Sequence, residues 1–111
     1  MMDEQVFQQR VDAALEDVRR ALAGAAEEHG FDVDYNAGTL AIEFEEPAPA
    51  RFVLSPQTPV RQVWLSALAK SFKLEWADGK ASFVWRESGE TLRELVGRVV
   101  GRQLGEEVKL G

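Results

Sequence analysis

The sequence predicts an α+β domain, a two-layer sandwich with two helices packed on one face of an antiparallel β-sheet. Three observations predict it. An apolar stripe at helical spacing opens the chain, a second one closes it, and the segment between alternates at a period of two, broken by turn residues. Two such helices cover one face of a sheet and no more, so the other face is expected to stay open. With 111 residues, a single domain over 1–111 is expected, burying roughly two-thirds of its unfolded surface around one core.

The first helix starts at Asp3, a good N-cap, and carries Phe7, Val11, Ala14, Leu15, Val18 and Leu22 on one stripe; Gly24 weakens its end and Gly30 stops it. FDVDY (31–35) and TLAIEFE (39–45) alternate on either side of Asn36-Ala37-Gly38 and read as a hairpin. If Phe31, Val33 and Tyr35 share the inner face with Leu40, Ile42 and Phe44, the register sets Asp34 opposite Ala41 and Asp32 opposite Glu43. A proline-containing loop follows, then RFVLS (51–55) as a third strand and the end of QTPVRQVWLS (57–66) as a fourth. SFKLEW and ASFVWR flank Ala77-Asp78-Gly79-Lys80, and a two-residue Asp78-Gly79 turn would pair Trp76 with Ala81, Leu74 with Phe83 and Phe72 with Trp85. Lys73, Glu75, Ser82 and Val84 fall on the opposite face. The second helix is expected to be capped by Ser88, with Glu90 in its first turn. Its buried stripe is Leu92, Leu95, Val96, Val99, Val100 and Leu104, and Gly105 ends it. Gly97 and Gly101 are spaced for close packing, a weak signal in an isolated helix, and Val108 and Leu110 can lie over the end of the core.

Composition excludes more than it names. No cysteine is present, so thiolate metal ligation, disulfides and cysteine nucleophiles are out, and a cytoplasmic setting is expected. The acidic, polar start does not read as a signal or transit peptide, and no apolar run is long enough to span a bilayer. Nineteen acidic against thirteen basic residues give a net charge of −6, which disfavours nucleic acid and anionic membranes and suits cations or basic protein surfaces. The one histidine, His29, has no nucleophile to serve and is expected as an exposed loop residue, so no catalytic residue is assigned.

Trp64 is the residue that alternation leaves out of place. In an extended 61–66, Val63 and Leu65 go to the core, while Gln62, Trp64 and Ser66 share the face left to water. A ring there is an expensive choice for plain solvent and a common anchor for a partner; the alternative is that a loop or a second layer covers this face and makes Trp64 ordinary core. Arg51, Val53 and Lys73 would lie near it if the strands pair in sequence order.

The order of an opening helix, an Asn-x-Gly-x-Leu hairpin, QTPVRQVWLS, an Asp-Gly turn, Trp85 and SGETLRELV resembles the frataxin family in its bacterial form, over nearly the whole chain. The resemblance implies an iron-binding protein of iron–sulfur cluster assembly that docks on the cysteine desulfurase and the scaffold protein by its open sheet face. It would act as iron donor or chaperone, or as regulator of that complex. An iron-independent docking regulator is the alternative, and slow ferroxidase activity a third. On that likeness Gln62 and Trp64 face the partner. Iron, Fe2+ or Fe3+, would bind weakly along an acidic ridge, other divalent cations competing on similar chemical terms, on a monomer whose oligomerisation under iron load is open. The residues left for that role are Glu27, Glu28, Asp32, Asp34, Glu43 and Glu45, because Arg19 and Arg20 interrupt the ridge and Glu16 is expected to pair with Arg20. Their chemistry is consistent with the role: Asp32 and Glu43 repel across the hairpin, and a hard cation held by their oxygens would reverse that repulsion.

Overall fold

The structure is a computed structural model that describes residues 2–110. Helix α1 runs Glu4–His29, and the Asp3 carboxylate accepts from the Val6 amide, closing the first turn as its sequence predicts. Gly30 ends it in the left-handed conformation (φ 78°), where a residue with a Cβ would be strained. Seven strands follow: β1 Asp32–Asn36, β2 Thr39–Phe44, β3 Ala50–Gln57, β4 Gln62–Ala67, β5 Lys70–Ala77, β6 Ser82–Trp85 and the two-residue β7 Glu90–Thr91. They pair antiparallel in sequence order, so every connection is local. Helix α2, Leu92–Leu104, returns across the same face as α1.

The core lies between the helices and the sheet. Phe7, Val11, Leu15, Val18 and Leu22 of α1 and Leu92, Leu95, Val96, Val99 and Val100 of α2 meet alternate residues of the strands, among them Leu40, Ile42, Phe52, Leu54, Val63, Leu65, Leu74 and Phe83. No polar or charged residue is buried among the described residues, so the core is held by apolar burial and packing without buried ionic groups. Val108 and Leu110 lie over its end as expected. Among the described residues, no helix lies on the far face of the sheet. No helix of the described residues is long and apolar enough to cross a membrane.

Three local expectations need correction. The β5–β6 connection is a 3-10 turn over Asp78–Lys80 with Ala81 left-handed (φ 48°), not a two-residue turn. Trp76 therefore faces Phe83 and Leu74 faces Trp85. The slip is two residues, so each side chain keeps its face and the hydrophobic pattern could not detect it. The cap of α2 is Thr91, in a capping box with Glu94, while Ser88 and Glu90 shape the turn and the short β7 before it. The spacing Thr91-x-x-Glu94 carries the capping-box signal in the sequence, three residues past the serine.

Candidate functional site

Trp64 occupies the middle of the open face, between Ser55 on β3 and Lys73 on β5. The ring is partly buried rather than fully exposed, although no second layer covers it. Its neighbours do this. The indole Nε1–H donates to the Gln62 side-chain oxygen at 2.8 Å, and the Lys73 ammonium stands 4.8 Å from the ring centroid, a cation–π arrangement. The Gln62 amide nitrogen donates to Glu75 at 3.0 Å, and Arg86 donates to the other Glu75 oxygen at 2.5 Å. A chain of four side chains thus crosses β4, β5 and the end of β6. Gln62 and then Arg86 hold the Glu75 carboxyl below the ordinary carboxylate range. Lys73 has no carboxylate partner among the described residues. Val53 lies one row along, opposite Ser66, and Arg51 lies beyond it.

The second group of candidates gathers at the β1–β2 edge. Asp32 pairs with Glu43 and Asp34 with Ala41, in the register the alternation predicts. Arg51 pairs with Glu43 from the other side, with 3.4 Å between guanidinium and carboxylate. One row therefore reads Asp32, Glu43, Arg51, and the arginine offsets part of the like-charge repulsion. Glu45 is exposed just past β2, and Glu27 and Glu28 are exposed in the last turn of α1. Among the described residues no three or more His, Cys, Asp or Glu side chains converge as a metal ion would require. What the edge offers iron is oxygen ligands on a solvated surface, the right donor type for a hard cation without a formed cage.

Elsewhere on α1, Glu16 binds Arg19 through two contacts of 2.9 and 2.6 Å and Arg20 through one of 3.2 Å. Chiefly through the Arg19 hydrogen bonds its carboxyl is lowered to about 2. Asp17 is taken by Arg93 of α2 at 2.7 Å. The middle of the helix face is thus neutralised internally. His29 is not an exposed loop residue: it ends α1 with its side chain 15% exposed, against Glu106 of the C-terminal tail. The spacing of Gly97 and Gly101, a weak signal in the sequence, marks a close approach in the structure. A Cβ at Gly101 would come within 2.7 Å of the Glu106 carbonyl oxygen, and one at Gly97 within 3.2 Å of that of Val108. The tail backbone lies where side chains of α2 would project.

Comparison with known proteins agrees with this architecture. The frataxin-like domain matches residues 1–106. The iron-sulfur cluster assembly protein CyaY of Azotobacter vinelandii is 32% identical over 97 residues, 86% of this chain and 86% of that protein. Its namesake in Pseudomonas putida strain F1 is 31% identical over 109 residues, 96% and 94% of the two chains. Among solved structures, a frataxin from Psychromonas ingrahamii superposes with a TM-score of 0.80 at 24% identity, covering 99% of each chain, which shows the shared fold. Taken with the two helices on one face of the sheet, these matches place the chain in the frataxin family.

Proposed function

We propose that this protein serves iron–sulfur cluster assembly by docking on the cysteine desulfurase–scaffold complex through the open face of its sheet, in the cytoplasm, as a regulator of that complex rather than an enzyme. The observation that carries this reading is Trp64. A partly buried indole with its N–H already satisfied, with an ammonium against its ring and neither a carboxylate for that ammonium nor a covering layer among the described residues, is a preorganised anchor, because little side-chain freedom remains to be lost on contact. The curated relatives supply the process through their names.

Iron donation is the second reading, favoured by the Asp32–Glu43 pair. The iron is then cargo, Fe2+ or Fe3+, held weakly on Asp32, Asp34 and Glu43 with Glu45, Glu27 and Glu28 contributing field rather than a cage. Without nitrogen or sulfur ligands the expected affinity is low and selectivity among divalent cations poor. Ferroxidase chemistry has no further residue to support it.

A reconstituted assembly assay, with the chain added or withheld at several iron levels, separates the two. An effect that persists at all iron levels and disappears in Trp64→Ala supports docking. An effect that scales with iron and disappears when the hairpin carboxylates are neutralised supports donation. No effect of the added chain in any condition overturns both.

A further inference from the structure

We propose that Glu75 is the positioning residue of the docking face: it sets the orientation of the Gln62 amide and, through it, that of the Trp64 ring. The inference rests on the docking reading above and adds to it a residue that touches no partner. It follows from donor and acceptor inventory. The indole N–H can only donate, so at 2.8 Å it must meet the Gln62 oxygen. A carboxylate can only accept, so at 3.0 Å it must meet the Gln62 nitrogen. The two contacts force one amide orientation, and each keeps the other in place. Arg86, at 2.5 Å on the far carboxylate oxygen, holds Glu75 from behind. β-Sheet register fixes the frame, since Gln62 lies directly opposite Glu75 and Trp64 directly opposite Lys73.

The polarity of this chain makes the inference specific. An acceptor at position 75 presents the Gln62 oxygen to the indole. A donor there would bind that oxygen itself and turn the amide nitrogen towards the indole N–H, setting donor against donor and releasing the ring. Glu75→Asp retains an acceptor oxygen for Gln62 and another for Arg86 and should come nearest to preserving the arrangement. Glu75→Ala leaves the amide free to rotate, and Glu75→Lys reverses it. Substitution order, rather than mere loss, is therefore the signature.

The test uses two readouts. The chain has three tryptophans, so the indole resonance missing from Trp64→Ala identifies Trp64 in 1H–15N spectra. That resonance should shift least in Glu75→Asp and be displaced in Glu75→Ala and Glu75→Lys, its exchange with water faster in the same order. Binding to purified desulfurase–scaffold complex, by calorimetry, should fall about fivefold in Glu75→Ala, the scale of one lost hydrogen bond, and further in Glu75→Lys, with melting temperatures within a few degrees of the parent. In a Gln62→Met background Glu75→Ala should weaken binding no further, because the relay is already broken. An additive loss there would mean that Glu75 meets the partner itself and would overturn the proposal, as would an unmoved Trp64 resonance in Glu75→Ala or binding that Glu75→Ala leaves intact. If Trp64→Ala also leaves binding intact, the docking reading fails and the role of Glu75 falls with it, a pattern distinct from failure at Glu75 alone.

Discussion

The open face of the sheet brings carboxylates and cations together twice, in different ways. At the β1–β2 edge, Asp32, Glu43 and Arg51 form a row of exposed side chains with one long ion pair of 3.4 Å. Across β4 and β5, Glu75 is bound on both sides at 2.5 and 3.0 Å and is linked through Gln62 to an aromatic ring. The first group keeps its water and its rotamer freedom. The second has given up much of its rotamer freedom to its hydrogen bonds, although Glu75 and Arg86 remain in contact with water. Solvated carboxylates can gather around a hydrated cation at low affinity, whereas a fixed ring presents a surface that another protein can bury without first ordering it. The fold thus separates the two chemistries by strand, and each can be disturbed without the other.

The largest expected effect breaks the central patch. Trp64→Ala should weaken association with the desulfurase–scaffold complex by at least about 2 kcal/mol, roughly thirtyfold, as for a truncated anchor. Its melting temperature should stay within a few degrees and its iron isotherm should not change. A collapse of thermal stability, on the scale of about 3–5 kcal/mol for a core aromatic, would place the ring in the core instead. Next in size is the edge. Changing Asp32 and Asp34 to Asn and Glu43 to Gln should lower iron affinity several-fold while preserving or raising the melting temperature, since repulsion leaves with the ligands; an unchanged titration would remove the hairpin as the site. Arg51→Ala sharpens the comparison from the other direction. It should strengthen iron binding about two- to threefold by exposing Glu43, and reduce stability by only a few tenths of a kcal/mol, as surface pairs do. Iron isotherms and melting curves read both quantities, and weaker iron binding in Arg51→Ala would contradict the charge argument.

The smallest effect is one of pH. Glu16, Glu75, Glu90 and Glu94 all sit below their ordinary value in the folded protein, through Arg19, Gln62, Arg98 and the Thr91 backbone respectively. A depressed carboxylate binds fewer protons folded than unfolded, so its contribution is complete above the unfolded value and is lost as pH falls through the folded one. Stability should therefore decline below pH 4.5, and for Glu16 the decline should continue to about 2. Glu16→Gln should flatten the lowest part of that curve in acid unfolding followed by circular dichroism. An identical acid limb in the variant would mean that the exposed Glu16–Arg19 pair contributes nothing measurable.

How much of this was legible differs between the same two regions. The register of the hairpin was readable, because Phe31, Val33 and Tyr35 share a face with Leu40, Ile42 and Phe44; only the turn is shorter than its Asn36-Ala37-Gly38 signal, with Asn36 paired to Thr39. The open face followed from counting helices. The linkage of Trp64 to Arg86 was not readable, since it depends on rotamers in three strands and on a β5–β6 turn longer than its Asp-Gly signal suggests. The misplaced cap of α2 has a similar cause: Ser88 and Thr91 are both good N-cap residues, and which one starts the helix is decided by β7 pairing Glu90 and Thr91 to β6. His29 was misjudged because its covering residue, Glu106, lies far along the chain.

The tail seated on α2 belongs to the folded unit. Gly97 and Gly101 each cost the helix about 1 kcal/mol relative to alanine, and that loss is useful only while residues 106–110 fill the space the missing side chains leave. The match to the frataxin-like domain ends at residue 106, but Val108 and Leu110 are buried core residues. A chain cut after 106 would keep every strand and both helices, yet expose two glycines on a helix face and uncover the apolar residues beneath. A deletion reaching into residues 106–110 therefore removes core as well as tail, although the frataxin-like domain match itself ends at residue 106.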